Sequence, residues 1–575
     1  MATGLLAWFL WPFVANGLRF PVGPDAPVYL WWTRIAGEEG LAAVAPRPGA
    51  PALTLVLQGA FGRTVVESVA ALEITLGVAV GLASASLLRG RDRGTWLLAG
   101  ALAGTFAVHL AAGYVANLLQ AAVFLAAAVV LAVGSGRGAI FAAAAVAAGV
   151  LVHPPFAALG SGILLLAAVM AWRRDRPSAV REGLAVLAGS ALGATALLAM
   201  PTDPPRPRGA TSRDAFLRRA GLDDELRGSY ADRFFRRWTR YVQWVSLPLA
   251  AVGLWEPDGF VGRFLRAWAI TTVVGVGLAF ATGRLPPDRL VTFGFVVPIL
   301  AALGLTRLGR RLRPRRTFAI AAVGGSTVLL LAGSLIAWNR QEPFLSGEEV
   351  AAAAAANAIV ARLDHGTPLA FLVNTTDQTG SFLATRAANV LRAAVPPDRI
   401  RDVVVVVRPA GGDADRERAA LERVTADDLR RAERRSGRPA ATFVLRPFNP
   451  VDDPEDAIVL DASTPVSGDP VEPLRASSPG GIALSAGLAT VLLTAAGFGW
   501  ARAAVRDAAA ALALAPAAGA AVLVLVAVGL ERFELLLADP AGAWVVSGIA
   551  GGGGYGAWGI LERLTRPRSP AEVDE

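Results

Sequence analysis

The sequence predicts a polytopic α-helical membrane protein of about fourteen transmembrane helices with an inserted extracytoplasmic α/β domain. Three observations carry this. Of 575 residues, 54% are hydrophobic and only 18% charged, with a mean hydropathy of +0.48, and a water-soluble domain has too little interior to hide that much apolar surface. Apolar runs of about 17 to 25 residues, the length that crosses a bilayer as a helix, recur along the chain. One long polar stretch, 339–478, interrupts them and alternates short β-branched runs with helical periodicity.

In chain order the spans fall at 2–20, 64–88, 95–112, 115–134, 138–155, 157–172, 182–200, 243–256, 264–282, 288–306, 316–338, 481–501, 508–530 and 541–561. The first is interrupted by Trp8, Trp11 and Pro12 and has no small-residue cleavage site after it, so it reads as a span and not a removable signal. Arg-rich loops set the orientation, because cytoplasmic loops accumulate positive charge. Arg89, Arg91 and Arg93, then Arg173, Arg174 and Arg176, then the run Arg307 to Arg316, and finally Arg563, Arg566 and Arg568 share one side when the spans alternate. That side is read as the cytoplasm, with both termini inside. Three units follow: a transmembrane module 1–338, the extracytoplasmic α/β domain 339–478 and C-terminal transmembrane helices 479–575.

Composition also excludes chemistry. Without Cys there is no disulfide, thiolate nucleophile or cysteine metal site. All 55 basic residues are Arg, which removes Schiff-base lysines and the Walker A lysine. The net charge of +9 is explained largely by the loop Arg, so no nucleic-acid partner is inferred. Ala, Arg and Gly enrichment without Lys is the usage of a GC-rich bacterial genome, which places the chain in a bacterial plasma membrane. No motif calls for a cofactor, and a divalent cation is left open.

Four features then face outward: the loop after the first span, the segment 201–242, the turn Gly283 to Arg289, and 339–478. The first loop, FPVGPDAPVYLWWTR, holds Asp25 between prolines and beside Tyr29, Trp31 and Trp32, an aromatic group expected among lipid headgroups. Asp25 is either a carboxylate poised for chemistry at the membrane surface or the cap of a short interfacial helix. Segment 201–242 reads as an amphipathic helix pair with Arg toward headgroups, or as a solvated, salt-bridged face. In 339–478 the expected strands are 368–375, 403–408 and 441–447, and the helices 347–362, 380–395 and 413–436, giving a parallel sheet. NTTDQTG at 374–380 follows the first strand, where such folds bind ligands, but it lacks a glycine-rich phosphate fingerprint.

Polar residues gather at the outward ends of several spans. His109 closes the third, with Tyr114 and Asn117 in the next turn; His153 closes the fifth; Arg284, Asp288 and Arg289 form the turn before the tenth. With Asp25 they are expected to line one outward cavity, and intramembrane ionisable groups are functional candidates. A His–Asp pair serves general-base chemistry or metal ligation, while each histidine alone reads equally as an interfacial hydrogen-bonding residue. Glu38 and Glu39 read as solvating a helix end, and Glu67 and Glu73 as structural.

One outer acid in the first loop, the G-x-L-V-H-P-P-F phrase, polar residues ending the third and fifth spans and the R-x-P-P-D-R-L turn together resemble the GT-C superfamily of integral membrane glycosyltransferases. The likeness covers about residues 1–338, and NVLRAAVPPDRI at 389–400 is similar to a phrase in actinobacterial membrane proteins often grouped with these transferases. The resemblance implies transfer of a sugar from a polyprenyl-phosphate donor, outside the cytoplasm, to an envelope glycan, lipid or protein acceptor. It implies Asp25 as catalytic acid residue and Arg284 or Arg289 as the donor-phosphate clamp, with His109, His153, Tyr29 and Asp288 supporting or binding acceptor. The chemistry suits the residues: one carboxylate deprotonates the acceptor hydroxyl, and guanidinium forks neutralise the departing phosphate. Two rivals stand beside it: a transporter or flippase for a lipid-linked precursor, and a non-catalytic scaffold for envelope assembly.

Overall fold

A computed structural model describes residues 1–23, 25–111, 113–200, 213–237, 239, 243–255, 259–282, 294–312, 316–375, 380–409, 416–449, 457–460, 474–533 and 535–565. Arg284, Asp288 and Arg289 lie outside the described residues, as does most of NTTDQTG.

The helices run in order as α1 (Ala2–Ala15), α2 (Ala26–Glu39), α3 (Gly49–Phe61), α4 (Val65–Leu87), α5 (Arg93–Phe106), the short α6 (Val108–Ala111), α7 (Val115–Ala132), α8 (Gly136–Val152), α9 (Pro154–Ala171) and α10 (Arg176–Leu198). After them come α11 (Arg213–Arg219), α12 (Asp223–Arg237), α13 (Ser246–Gly253), α14 (Gly259–Thr282), α15 (Val296–Arg311) and α16 (Arg316–Asn339). Among the described residues, eight helices are long and apolar enough to cross a membrane: α4, α7, α9, α10, α14, the Ile320–Asn339 part of α16, and two near the C-terminus, α20 (Pro479–Ala504) and α21 (Ala508–Leu530). Apolar α1, α3 and α8 are shorter, and the expected span 243–256 is helical over only eight residues. The chain ends in α22 (Pro540–Thr565).

Small residues let the spans close on one another. A Cβ on Gly497 of α20 would fall 2.0 Å from the Ala515 carbonyl oxygen, and one on Gly519 of α21 1.9 Å from that of Leu493, so this crossing requires glycine on both sides. The glycine run 551–554 does not break α22; a Cβ on Gly554 would sit 2.6 Å from the Trp500 ring, and the run is a packing surface. Between α10 and α14, Arg263 holds both carboxylate oxygens of Glu182 at 3.0 and 3.2 Å, which pairs a charge that α10 otherwise buries among apolar groups.

Between α16 and α20 lies the polar stretch: α17 (Gly347–Val360), β1 (Leu369–Thr375), α18 (Gly380–Ala394), β2 (Val403–Pro409), α19 (Arg416–Ser436), β3 (Ala441–Leu445) and β4 (Ile458–Leu460). The strands form one parallel sheet ordered β2-β1-β3-β4. The unbroken Val403–Val407 run has a physical cause. Val405 and Val407 pack into the main core with Phe371 and α18, whereas Val404 and Val406 face Leu429 and Ala432 of α19, so both faces are buried and no alternation is needed.

This α/β layer docks on α2. Trp31 donates from Nε1 to Asn389 at 3.4 Å, and Arg34 donates to the carbonyls of Ala393 and Val395 at 2.7 and 2.6 Å, filling the open C-terminus of α18. Burial pulls the Arg34 guanidinium down to about 10, against the opposing pull of Glu38 and Asp398, which leaves it charged at neutral pH. Tyr29 and Trp31 are therefore buried, at 6% and 3% exposure, where the aromatic loop was expected among headgroups. The amphipathic pair α11–α12 also finds a protein partner. Leu217, Leu222, Leu226 and Tyr230 pack against Ala420 of α19, and Arg219–Asp428 and Arg416–Glu225 bridge the contact at 2.5 and 3.0 Å, so this part is a salt-bridged protein face.

Candidate functional site

Asp25 stands at the N-terminus of α2, half-buried, with φ −93° and ψ −6°. Pro27 opens the first turn, where a missing N–H costs nothing. The carboxylate makes no capping bond to the α2 backbone, so the capping role open to it in the sequence is not the one it fills.

Several segments converge on it. Gly113, at φ +95°, approaches so closely that an added Cβ would lie 3.1 Å from the Asp25 nitrogen. Tyr29, one turn along α2, accepts at its hydroxyl from the Ala116 N–H at 3.1 Å, tying α2 to the start of α7. On the other side, the Val22 N–H donates to Glu73 at 3.2 Å, the Gly23 N–H donates to the Glu342 carbonyl at 3.2 Å, and Val22 pairs with Pro343 in an antiparallel bridge. The Ser477 N–H donates to the Arg19 carbonyl at 3.0 Å, and its hydroxyl donates to Glu67 at 2.7 Å. Both chain crossings between the helices and the α/β layer are thus stitched to the loop that carries Asp25. Glu67 and Glu73 serve this stitching, and Glu67 also completes a capping box with Thr64.

The histidines are both buried, at 6% exposure. His109 lies four residues before Gly113, on the segment that walls Asp25. Its Nδ1 donates to the Phe106 carbonyl at 2.7 Å and its ring packs on Phe106 and Phe295. His153 joins α8 to α9: its Nδ1 accepts from the Phe156 N–H at 3.4 Å and its ring stacks on Phe156 at 4.2 Å. Nδ1 therefore carries a hydrogen in His109 and none in His153. Phe156 and Phe295 line one cavity of about 10 Å³ with Asn117, Gln120, Phe124 and Trp268. That space holds a single water at most. In HPPF, His153 is a helix cap followed by prolines in the first turn, which accounts for the phrase structurally.

A cavity of about 810 Å³ lies where the C-terminal ends of α2, α8, α10 and α21 meet. Its mouth carries Glu38 and Glu39 at the C-terminal end of α2 and Glu531 just beyond α21; its walls are Leu151 of α8, Thr195 and Ala199 of α10, and Leu525 and Val528 of α21. Asp25, His109 and His153 are not among its lining residues. The shared outward cavity expected for those three is therefore not this one. At ~1.5 Å per residue, the thirteen residues from Asp25 to Glu38 put roughly 20 Å between the two places. Glu531 accepts from the Ala42 N–H at 2.8 Å and Glu39 pairs with Arg401 of the α/β layer. Burial pushes the Glu38 and Glu531 carboxyls above their ordinary range. Glu531 escaped the sequence reading because an acid just past an apolar span looks like any snorkelling chain end. Among the described residues, no group of three or more His, Asp or Glu is placed to hold a metal ion.

No protein-family model matches this chain, and no curated protein matches it.

Proposed function

We propose that the chain is a GT-C-type membrane glycosyltransferase that moves a sugar from a polyprenyl-phosphate-linked donor to an envelope acceptor on the extracytoplasmic side. Asp25 is the general base in this reading. It removes the proton from an acceptor hydroxyl, the oxygen attacks the anomeric carbon, and the lipid phosphate departs with the bonding electrons, inverting that carbon. Arg284 and Arg289 would neutralise the leaving phosphate. The fourteen-span count, the cytoplasmic termini and the extracytoplasmic placement of 339–478 belong to the same proposal.

The observation that carries it is the convergence on Asp25. The backbone around one acid, whose carboxylate does not cap its own helix, is held by the Gly113 turn, the Tyr29–Ala116 bond and both crossings to the α/β layer. A backbone held in place around a single acid supports a role that depends on positioning. The test is reconstitution of purified protein in lipid vesicles with radiolabelled polyprenyl-phosphate sugars and envelope lipid extract. Label entering an acceptor fraction supports the proposal, and its retention on every donor tried overturns it.

A further inference from the structure

A second cavity lies beside the 810 Å³ one along α21. A cavity of about 280 Å³ lies between α7, α8, α20 and α21, and its lining, which includes Val130, Phe141, Leu514 and Leu525, is apolar throughout. Leu525 lines both cavities. From Leu514 to Glu531 the α21 track runs about 25 Å at ~1.5 Å per residue, close to the thickness of a bilayer core. Leu192 beside the upper cavity is 58% exposed and Ile140 beside the lower one is 70% exposed, so both open on the apolar flank that lipid would cover.

The polar end of this track is selective. Among the described residues its charged lining residues are the carboxylates Glu38, Glu39 and Glu531, so a phosphate headgroup meets like charge. Glu39 is already neutralised by Arg401, and Glu531 already takes a backbone N–H from Ala42. What remains is a set of strong hydrogen-bond acceptors above a long apolar trough. We propose that the groove along α21 binds a long-chain lipid whose headgroup is uncharged and rich in hydroxyls, its chain lying on Leu525 and its hydroxyls donating to Glu38 and Glu531. The site lies roughly 20 Å from Asp25 and does not depend on the proposed sugar transfer.

Photolabelling of the full chain in phosphatidylcholine nanodiscs tests it, with a sixteen-carbon alkyl glucoside bearing a chain diazirine as probe. Cross-links are expected on α10 and α21, competed by unlabelled alkyl glucoside and not by the matching alkyl phosphate or alkyltrimethylammonium. Thr195→Trp, which fills the upper cavity, should cut labelling about tenfold, equivalent to ~1.4 kcal/mol, while Val169→Trp on the exposed flank of α9 leaves it unchanged. Ala518→Trp, in the lower cavity, should expel the sixteen-carbon probe and spare an eight-carbon one. Labelling spread over the helical flank and insensitive to Thr195→Trp, or better competition by the phosphate or the ammonium compound, overturns the proposal.

Discussion

At the N-terminal end of α2, the Asp25 backbone is walled in by Gly113 and stitched to Glu342 and Glu73 through its loop; at the C-terminal end, Glu38 and Glu39 face an 810 Å³ cavity. The same fourteen-residue helix thus has one acid where its backbone is closely packed, and others where they line a void. Close packing around an acid and open volume beside acids are thus found at opposite ends of one helix. At Asp25 the described residues show close backbone packing, whereas the cavity beyond the other end of α2 offers room and acceptors.

Breaking the closed end should cost most. Gly113→Val forces a side chain into a positive-φ position and against the Asp25 backbone, for an expected loss of roughly 2–5 kcal/mol, read as lowered thermal unfolding of the purified protein. Arg34→Ala removes two donors from the α18 terminus and should cost about 1.5–3 kcal/mol, with 339–478 becoming the first region cut in limited proteolysis. A wild-type cleavage pattern would show that Arg34 does not hold the layer.

The open end should respond with the opposite sign. Burial raises the Glu531 carboxyl, so the folded state keeps its proton to higher pH than the unfolded chain; stability is therefore lost as pH rises through that window. Glu531→Gln escapes this loss. It should be more stable than the parent at neutral pH by less than about 1 kcal/mol, and the gap should close below roughly pH 4.5. Destabilisation at neutral pH would mean that the Ala42 bond outweighs burial.

Much of the fold was legible because burial leaves periodic traces. Val403–Val407 and Leu369–Thr375 read as buried strands, and β1, α18, β2, α19 and β3 lie within a few residues of expectation. Ile458–Leu460 was missed since three residues carry no period. For α11–α12, composition showed an apolar face but not its partner, and α19 covers it where headgroups were expected. Trp31 misled for the same reason: an indole suits a headgroup or Asn389 equally well. At the site, the nearness of Asp25 to the His109–Asn117 end followed from span order alone. The groove was not legible, because α2, α8, α10 and α21 are far apart in sequence and no local pattern records a void between them.

The central claim is that Asp25 is a base held for chemistry. The direct measurement is sugar transfer from a radiolabelled polyprenyl-phosphate donor by wild-type protein and by Asp25→Asn, with thermal unfolding of both recorded alongside. A loss of about 10²–10⁴-fold in rate with unfolding unchanged is expected. Equal transfer by the two proteins would contradict it.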